Sequence, residues 1–364
     1  MILAVTVRGA LERRYGASGY QQIRTALNAF AEAAQGFALA VDDPVDMSPL
    51  GISPLGTSDA GSILLSIRAL RRQLSDPQPS LLLVGGDDIV PFWKINNPVV
   101  DRTIDPDPVV TTDNPYGTNG ESLEQYLAPP IYAGRLPDNA AGSAQEFADL
   151  ISLATTYRRE RPIRPGSGVV VNSDWNDWAH EAASTLPDPV DWHVSPGYVM
   201  NGGTRNDTNH GILYFNLHGF SGESEWKGYD QTRGQYVTAV TPDAFDRRFV
   251  SGSVVFAENC YGAQVSERTP QNSCALRLVR EGAAFIGAAG LAFGSHLVPR
   301  MFLEDADCLA RSFFARFSRS QQDLGTALGG ARADYLTDTN TPVSDPYKQK
   351  TLLQFVLLGD PGWS

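Results

Sequence analysis

Cysteine is scarce in this chain of 364 residues: Cys260, Cys274 and Cys308 are few, odd in number and far apart. That excludes a disulfide framework and a zinc cluster, and it suits a reducing compartment, so the cytoplasm is the expected location. Lysine is nearly absent, with Lys94, Lys227, Lys348 and Lys350 against 25 arginines. The 41 acids outnumber the 29 bases, for a net charge of −12, and no clustered basic face appears in the pattern. Binding to a nucleic-acid backbone is therefore not expected. No run approaches the roughly eighteen uncharged apolar residues of a membrane span. The opening MILAVTVRGALERR has a short apolar run with no basic region ahead of it, and reads as a first strand rather than a signal peptide. Nucleotide-binding glycine motifs are missing, and Gly219-Phe220-Ser221-Gly222-Glu223 fails the spacing of a serine-hydrolase elbow.

What is present is an ordinary globular composition, 42% hydrophobic and 19% charged. Short apolar runs alternate with amphipathic patterns almost from end to end. ILAVTV (2–7), FALAV (37–41), SLLLV (80–84) and PIYAG (130–134) read as strands, with helices over 19–34, 60–74 and 143–158. A charged, Pro- and Gly-rich stretch (158–168) follows, which suits a seam between domains. The alternation then restarts with strands at 169–172, 190–194, 212–217, 253–257 and 283–287 and helices at 177–185, 242–249, 273–281, 303–318 and 321–335. The expected fold is α/β: two adjacent subdomains, 1–160 and 161–364, with mainly parallel central sheets flanked by helices. A polar loop over about 93–128 is long enough to be functional.

Two strand ends in the second half carry chemistry. Ile212-Leu213-Tyr214-Phe215-Asn216-Leu217 delivers His218 and then Gly219, and Val254-Val255-Phe256-Ala257-Glu258-Asn259 delivers Cys260. Ligands of open α/β sheets bind beyond the carboxyl ends of parallel strands, so neighbouring strands would set His218 and Cys260 at one mouth. A thiol beside an imidazole is a nucleophile with its base, the logic of acyl transfer. Gly219 lets a backbone N–H approach a substrate carbonyl, and with the Cys260 N–H it could form an oxyanion hole.

An apolar strand ending His-Gly, followed by an apolar strand ending in Cys with small residues after it, resembles the caspase-like (clan CD) cysteine peptidases. Within that group the chain is most similar to the gingipain-type C25 family. LLLVGGDDIVP (81–91), TTDNPYG (111–117), IYAGRLP (131–137) and LLGDP (357–361) resemble segments of that family in the same order. The resemblance implies a caspase-like fold and a cysteine endopeptidase that needs no metal or organic cofactor, with protein or peptide substrates. It also implies His218 as base and acid and Cys260 as nucleophile. Where it would place a His-orienting carboxylate the chain has Pro129-Pro130, which leaves Asp113 as the candidate for that role.

Glu258 lies two residues before Cys260, on the same side of an extended strand. An acid there resembles the pocket acid of clan members with basic specificity, so cleavage after Arg, favoured over Lys, is expected. Glu223, Glu225 and Asp113 are alternative pocket acids. The loop Ala288–His296, with Phe293, is expected to wall the pocket. Asp105, Asp107 and Asp113 could bind calcium, although a solvated turn is the preferred reading. Trp175, Trp178 and Trp192 read as packing, and Cys274 and Cys308 as core. His180, His193, His210 and His296 receive no role. Control by an activating or inhibitory protein partner, or by self-cleavage at Arg102 or Arg268, fits a protease of this kind. A binding or regulatory module on the same fold is the competing reading.

Overall fold

Strands form where the sequence offers consecutive apolar residues, and helices where the apolar period lengthens. A computed structural model describes residues 1–74, 80–160, 164–295, 303–320, 322–338 and 340–363. Its strands are β1 (Ile2–Thr6), β2 (Phe37–Ala40), β3 (Ser80–Val84), β4 (Trp93–Asn96), β5 (Val109–Thr112), β6 (Ala133–Leu136), β7 (Ser167–Asn172), β8 (Val190–Ser195), β9 (Ile212–Asn216), β10 (Trp226–Asp230), β11 (Gln235–Val240), β12 (Val254–Ala257), β13 (Ala284–Ala288) and β14 (Phe355–Leu358). Ten of them make one sheet in the order β2-β1-β3-β6-β14-β13-β12-β9-β7-β8. Every neighbouring pair is parallel except β13 with β14. The expected α/β fold with a mainly parallel sheet flanked by helices is what the structure has. The two halves share that sheet, because β14 arrives from the end of the chain and inserts between β6 and β13. Of the expected seam over 158–168, residues 158–160 end the helix Ala144–Glu160, 167–168 open β7, and 161–163 lie outside the described residues.

Both faces of the central strands are covered, which is why they read as unbroken apolar runs. Period-two alternation divides their side chains. Tyr214, Phe256 and Ile286 pack on one face with the helices Asp305–Ser320 and Leu324–Thr337. Leu213, Phe215, Val255 and Phe285 pack on the other, with the helix Cys274–Arg280. A separate cluster fills the first half around the helices Arg8–Ala33 and Ala60–Gln73.

Several elements lay outside the sequence reading, and three of them bear on the site. The polar loop after residue 92 carries a two-stranded ribbon, β4–β5. The hairpin β10–β11 follows His218, and its Lys227 exchanges two backbone hydrogen bonds with His218, both 2.8 Å. The helix Pro346–Gln354 leads into β14. Half-exposed ribbons such as WKIN and WKGYD lack the apolar run that marks a central strand.

Asp113 takes a structural place rather than the His-orienting one. Arg135 of β6 is fully buried, and its guanidinium donates to both carboxylate oxygens of Asp113 at 2.9 and 2.6 Å. The same guanidinium donates to the carbonyls of Gly85 and Val90, each at 2.7 Å, and lies over the Phe92 ring. Both oxygens of Asp113 are turned to Arg135, and no hydrogen bond joins Asp113 to His218. Removing one member of such a pair strands the other charge in the interior. Asp113→Asn should therefore lower the free energy of unfolding in urea by about 3–5 kcal/mol. A loss below about 1 kcal/mol, the range of an exposed pair, would contradict this placement.

Candidate active site

The parallel register of β9 and β12 builds the site. Phe256 pairs with Tyr214 and Ala257 with Phe215, so β9 and β12 end level and the pairing continues toward Asn216 and Glu258, with His218 and Cys260 each just beyond its strand end. The continuation is held by the Glu258 N–H, which donates to the Phe215 carbonyl at 2.9 Å. Gly219 sits so close to the turn at Cys260 that a Cβ there would lie 1.9 Å from the Cys260 carbonyl oxygen. Only glycine fits that approach. Neither the Gly219 nor the Cys260 N–H donates to another backbone group among the described residues.

Cys260 is half-buried. Its thiol donates to the Ala292 carbonyl at 3.4 Å and accepts from the Ala292 N–H at 3.3 Å. Burial pushes the thiol pKa up, against the opposing pull of the Ala292 N–H and the Lys350 ammonium. His218 is packed between aromatic rings, with Trp175 at 4.3 Å between centroids and Tyr236 at 4.9 Å edge-on. Burial pushes its pKa down to about 4, partly offset by the Asp174 carboxylate. Burial thus favours the uncharged form of both thiol and imidazole, and no hydrogen bond joins the two side chains. Such contacts commonly tighten only when substrate is bound.

Asp174 is the acid that acts on His218, and the sequence reading missed it. It follows β7, the strand on the far side of β9, in the turn Ser173–Trp175. Its signal was available: an acid just past a strand end adjoining the His strand. Trp175 is likewise more than packing, since it touches His218 and also lines the cavity beside Cys260.

That cavity, about 370 Å³, is lined by Trp175, Cys260, Phe293 and Tyr347, with Glu258 and Asp307 in its wall. Glu258 accepts from the Tyr214 hydroxyl at 2.6 Å and from Asn216 Nδ2 at 3.3 Å. Asp307, from the helix Asp305–Ser320, accepts from the same Asn216 nitrogen at 3.1 Å and from the Ser295 N–H at 2.7 Å. Both carboxyls are buried, and each is pushed up, Glu258 well above the usual range, by burial together with, for Glu258, its acidic neighbour. Two carboxylates this close cannot both ionise without a cation. Asp305 in the same wall is pushed up to about 7 by burial. Asp307 escaped the sequence reading because it lies on a helix 47 residues after Cys260 and reaches the pocket only through tertiary packing.

The alternative pocket acids lie elsewhere. Glu223 pairs with Lys227 at 2.5 Å, and Glu225 accepts from Thr238 at 2.6 Å, both on the β10–β11 side. The acidic loop holds an ammonium in place of a metal ion: Lys350, fully buried, pairs with Asp105 and with Asp107 at 3.2 Å. Among the described residues no cluster has the makings of a metal site. His210 precedes β9, at the end opposite the mouth, and pairs with Asp191 at 3.1 Å. His296 lies outside the described residues. Cys274 and Cys308 are buried, with thiols pushed up, Cys308 to about 12. Arg268 is tucked against the carbonyls of Glu223 and Asn272, whereas Arg102 is exposed. No described helix is long and apolar enough to cross a membrane.

The sequence profile of Peptidase family C25 matches residues 22–363. Two solved structures share the fold. The complex of the pro- and mature domains of RgpB from Porphyromonas gingivalis superposes with a TM-score of 0.65 at 12% identity, covering 100% of this chain and 79% of the other. The Arg-specific cysteine proteinase gingipain R (RgpB) gives 0.62 at 13% identity, covering 100% and 77%. A comparison with curated proteins finds no match. The profile match over nearly the whole chain settles the lineage: the chain belongs to peptidase family C25 and is a cysteine-type peptidase of gingipain-like fold.

Proposed function

We propose that the protein is a cysteine endopeptidase that cleaves after basic residues, Arg favoured over Lys, through Cys260 and His218. The observation that supports this reading is the close approach of Gly219 to the Cys260 carbonyl at the level ends of β9 and β12, with an acid-walled cavity next to the thiol. The substrate carbonyl carbon is attacked by Cys260 Sγ as its proton passes to His218. The oxyanion accepts from the Gly219 and Cys260 N–H groups. His218 then protonates the leaving amine, and water, deprotonated by His218, hydrolyses the thioester. Asp174 stabilises the imidazolium formed in each half-reaction. Glu258 and Asp307 receive the cationic side chain of the residue before the scissile bond, and its guanidinium supplies the charge that the pair lacks. A cytoplasmic site of action and restraint by a protein partner belong to the same proposal. The partner finds support in the RgpB structure, which holds a pro-domain against the mature domain.

Fluorogenic peptides differing only in that residue (Arg, Lys, Asp or Ala) test the reading. Arg and Lys peptides should turn over and Cys260→Ala should turn over nothing while unfolding normally. Glu258→Gln and Asp307→Asn should each lower kcat/KM for the Arg peptide by about 100-fold, as expected for losing one buried charge-assisted pair. Asp-only turnover would discard the pocket assignment, and turnover by Cys260→Ala would discard the nucleophile. Wild-type inertness to the whole panel, with tight binding of a protein instead, would favour the regulatory-module reading.

The pH profile should separate the two groups. A histidine with a depressed pKa stays neutral, and so able to accept a proton, as pH falls below the usual histidine value. The pocket carboxyls, pushed up by burial, take up protons at a higher pH than ordinary carboxyls do. From about pH 7 to about pH 5, kcat should hold while KM for the Arg peptide rises. A kcat limb at the usual histidine value would contradict the environment described for His218.

A further inference from the structure

The residue after the nucleophile is held in an unusual backbone conformation by Gly290 and by Asp107 from the other half of the chain. Tyr261 has φ of 56°, in the left-handed region that non-glycine residues seldom occupy without being held there. Its N–H donates to the Gly290 carbonyl at 2.8 Å, and its hydroxyl donates to Asp107 Oδ1 at 2.8 Å. The other oxygen of Asp107 accepts from the Leu291 N–H at 2.8 Å. Asp107 thus ties together the two chain segments that flank the thiol: the turn after Cys260, and residues 290–292, whose Ala292 hydrogen-bonds the sulfur. Gly290 makes room for it, since a Cβ there would lie 2.7 Å from Asp107 Oδ2.

Asp107 is itself fixed from behind. Lys350 of the helix Pro346–Gln354 reaches its Oδ2 at 3.2 Å while pairing with the fully buried Asp105. Asn97 Nδ2 donates to Asp105 and to the Asp107 carbonyl, both at 2.9 Å, and the Asp107 N–H donates to Asp105 at 3.1 Å. The loop that carries these acids also sends Ile104 into the cavity lining. One buried assembly therefore reaches both the nucleophile turn and the substrate pocket.

We propose that Asp107, anchored by Lys350 and Asp105, is a positioning residue that holds the Cys260–Tyr261 turn in its reactive shape through the Tyr261 hydroxyl and the Leu291 N–H. This rests on the cysteine-peptidase reading, in which the Cys260 sulfur and N–H must keep a fixed relation to the substrate carbonyl. Small misplacements of a nucleophile or an oxyanion donor cost rate steeply while leaving substrate binding almost untouched.

The test uses Tyr261→Phe, which removes only the hydroxyl, and Asp107→Asn, which leaves one acceptor oxygen for three donors, both in the full chain. With the Arg peptide, each should lower kcat by about 10- to 100-fold with KM within about twofold. For Tyr261→Phe the melting temperature should stay within about 2 °C of wild type, because a half-buried hydroxyl contributes little to global stability. Hydrogen exchange read by mass spectrometry should show faster exchange of the Tyr261 and Leu291 amides in both variants, with β9 and β12 unchanged. Unaltered kcat in Tyr261→Phe, a kcat loss matched by general destabilisation, or unaltered exchange at those two amides would overturn the inference. If wild type cleaves no peptide, the peptidase reading falls while the exchange measurement still decides whether Asp107 holds the turn.

Discussion

The parallel pairing of β9 with β12 is the constraint on which the rest of the site depends. Register in a sheet buried on both faces is strongly specified, because a slip of one residue would turn every side chain to the wrong layer. Here Tyr214 and Phe256 would exchange places with Leu213 and Val255 between two differently packed cores. The same register that keeps those cores apart brings both strands to a level end, from which Glu258 meets Asn216 and the chain runs on to His218 and to Cys260. Site geometry and core packing are thus fixed by one set of hydrogen bonds.

Around that pair the environment divides by charge. His218 lies among aromatic rings that favour its neutral form, while the adjoining cavity holds two carboxyls sharing one amide donor from Asn216. An uncharged base beside a charge-deficient pocket fits a reaction in which a cationic side chain arrives and the proton transfer follows. The first half of the chain contributes through two buried ion pairs. Arg135–Asp113 fastens β6 to its loops, and Lys350 with Asp105 and Asp107 reaches the nucleophile turn. With β14 shared between the halves, these contacts make the N-terminal strands part of the framework of the site.

Much of this was legible in the residues. Central parallel strands are apolar on both faces, so ILYFN and VVFA announced themselves, and the residues just past them were the natural places for His218 and Cys260. Glu258 could be placed by simple alternation. What stayed hidden depended on contacts distant in sequence. Asp113 looked free for catalysis because nothing local shows that Arg135 holds it. The acids at 105 and 107 looked like a solvated turn because their cation comes from position 350. Asp307 sits in a helix whose approach to the pocket no local pattern encodes, and the β10–β11 hairpin is too exposed to carry an apolar signature.

The central claim is that Cys260, and neither of the other two thiols, is the nucleophile beside a pocket for a basic side chain. Labelling with a peptidyl-arginine chloromethyl ketone, followed by peptide mapping, tests this most directly. A single adduct on Cys260, suppressed by excess Arg peptide and much slower with an alanine analogue, is the predicted result. Modification of Cys274 or Cys308, or labelling of Cys260 indifferent to the side chain presented, would contradict it.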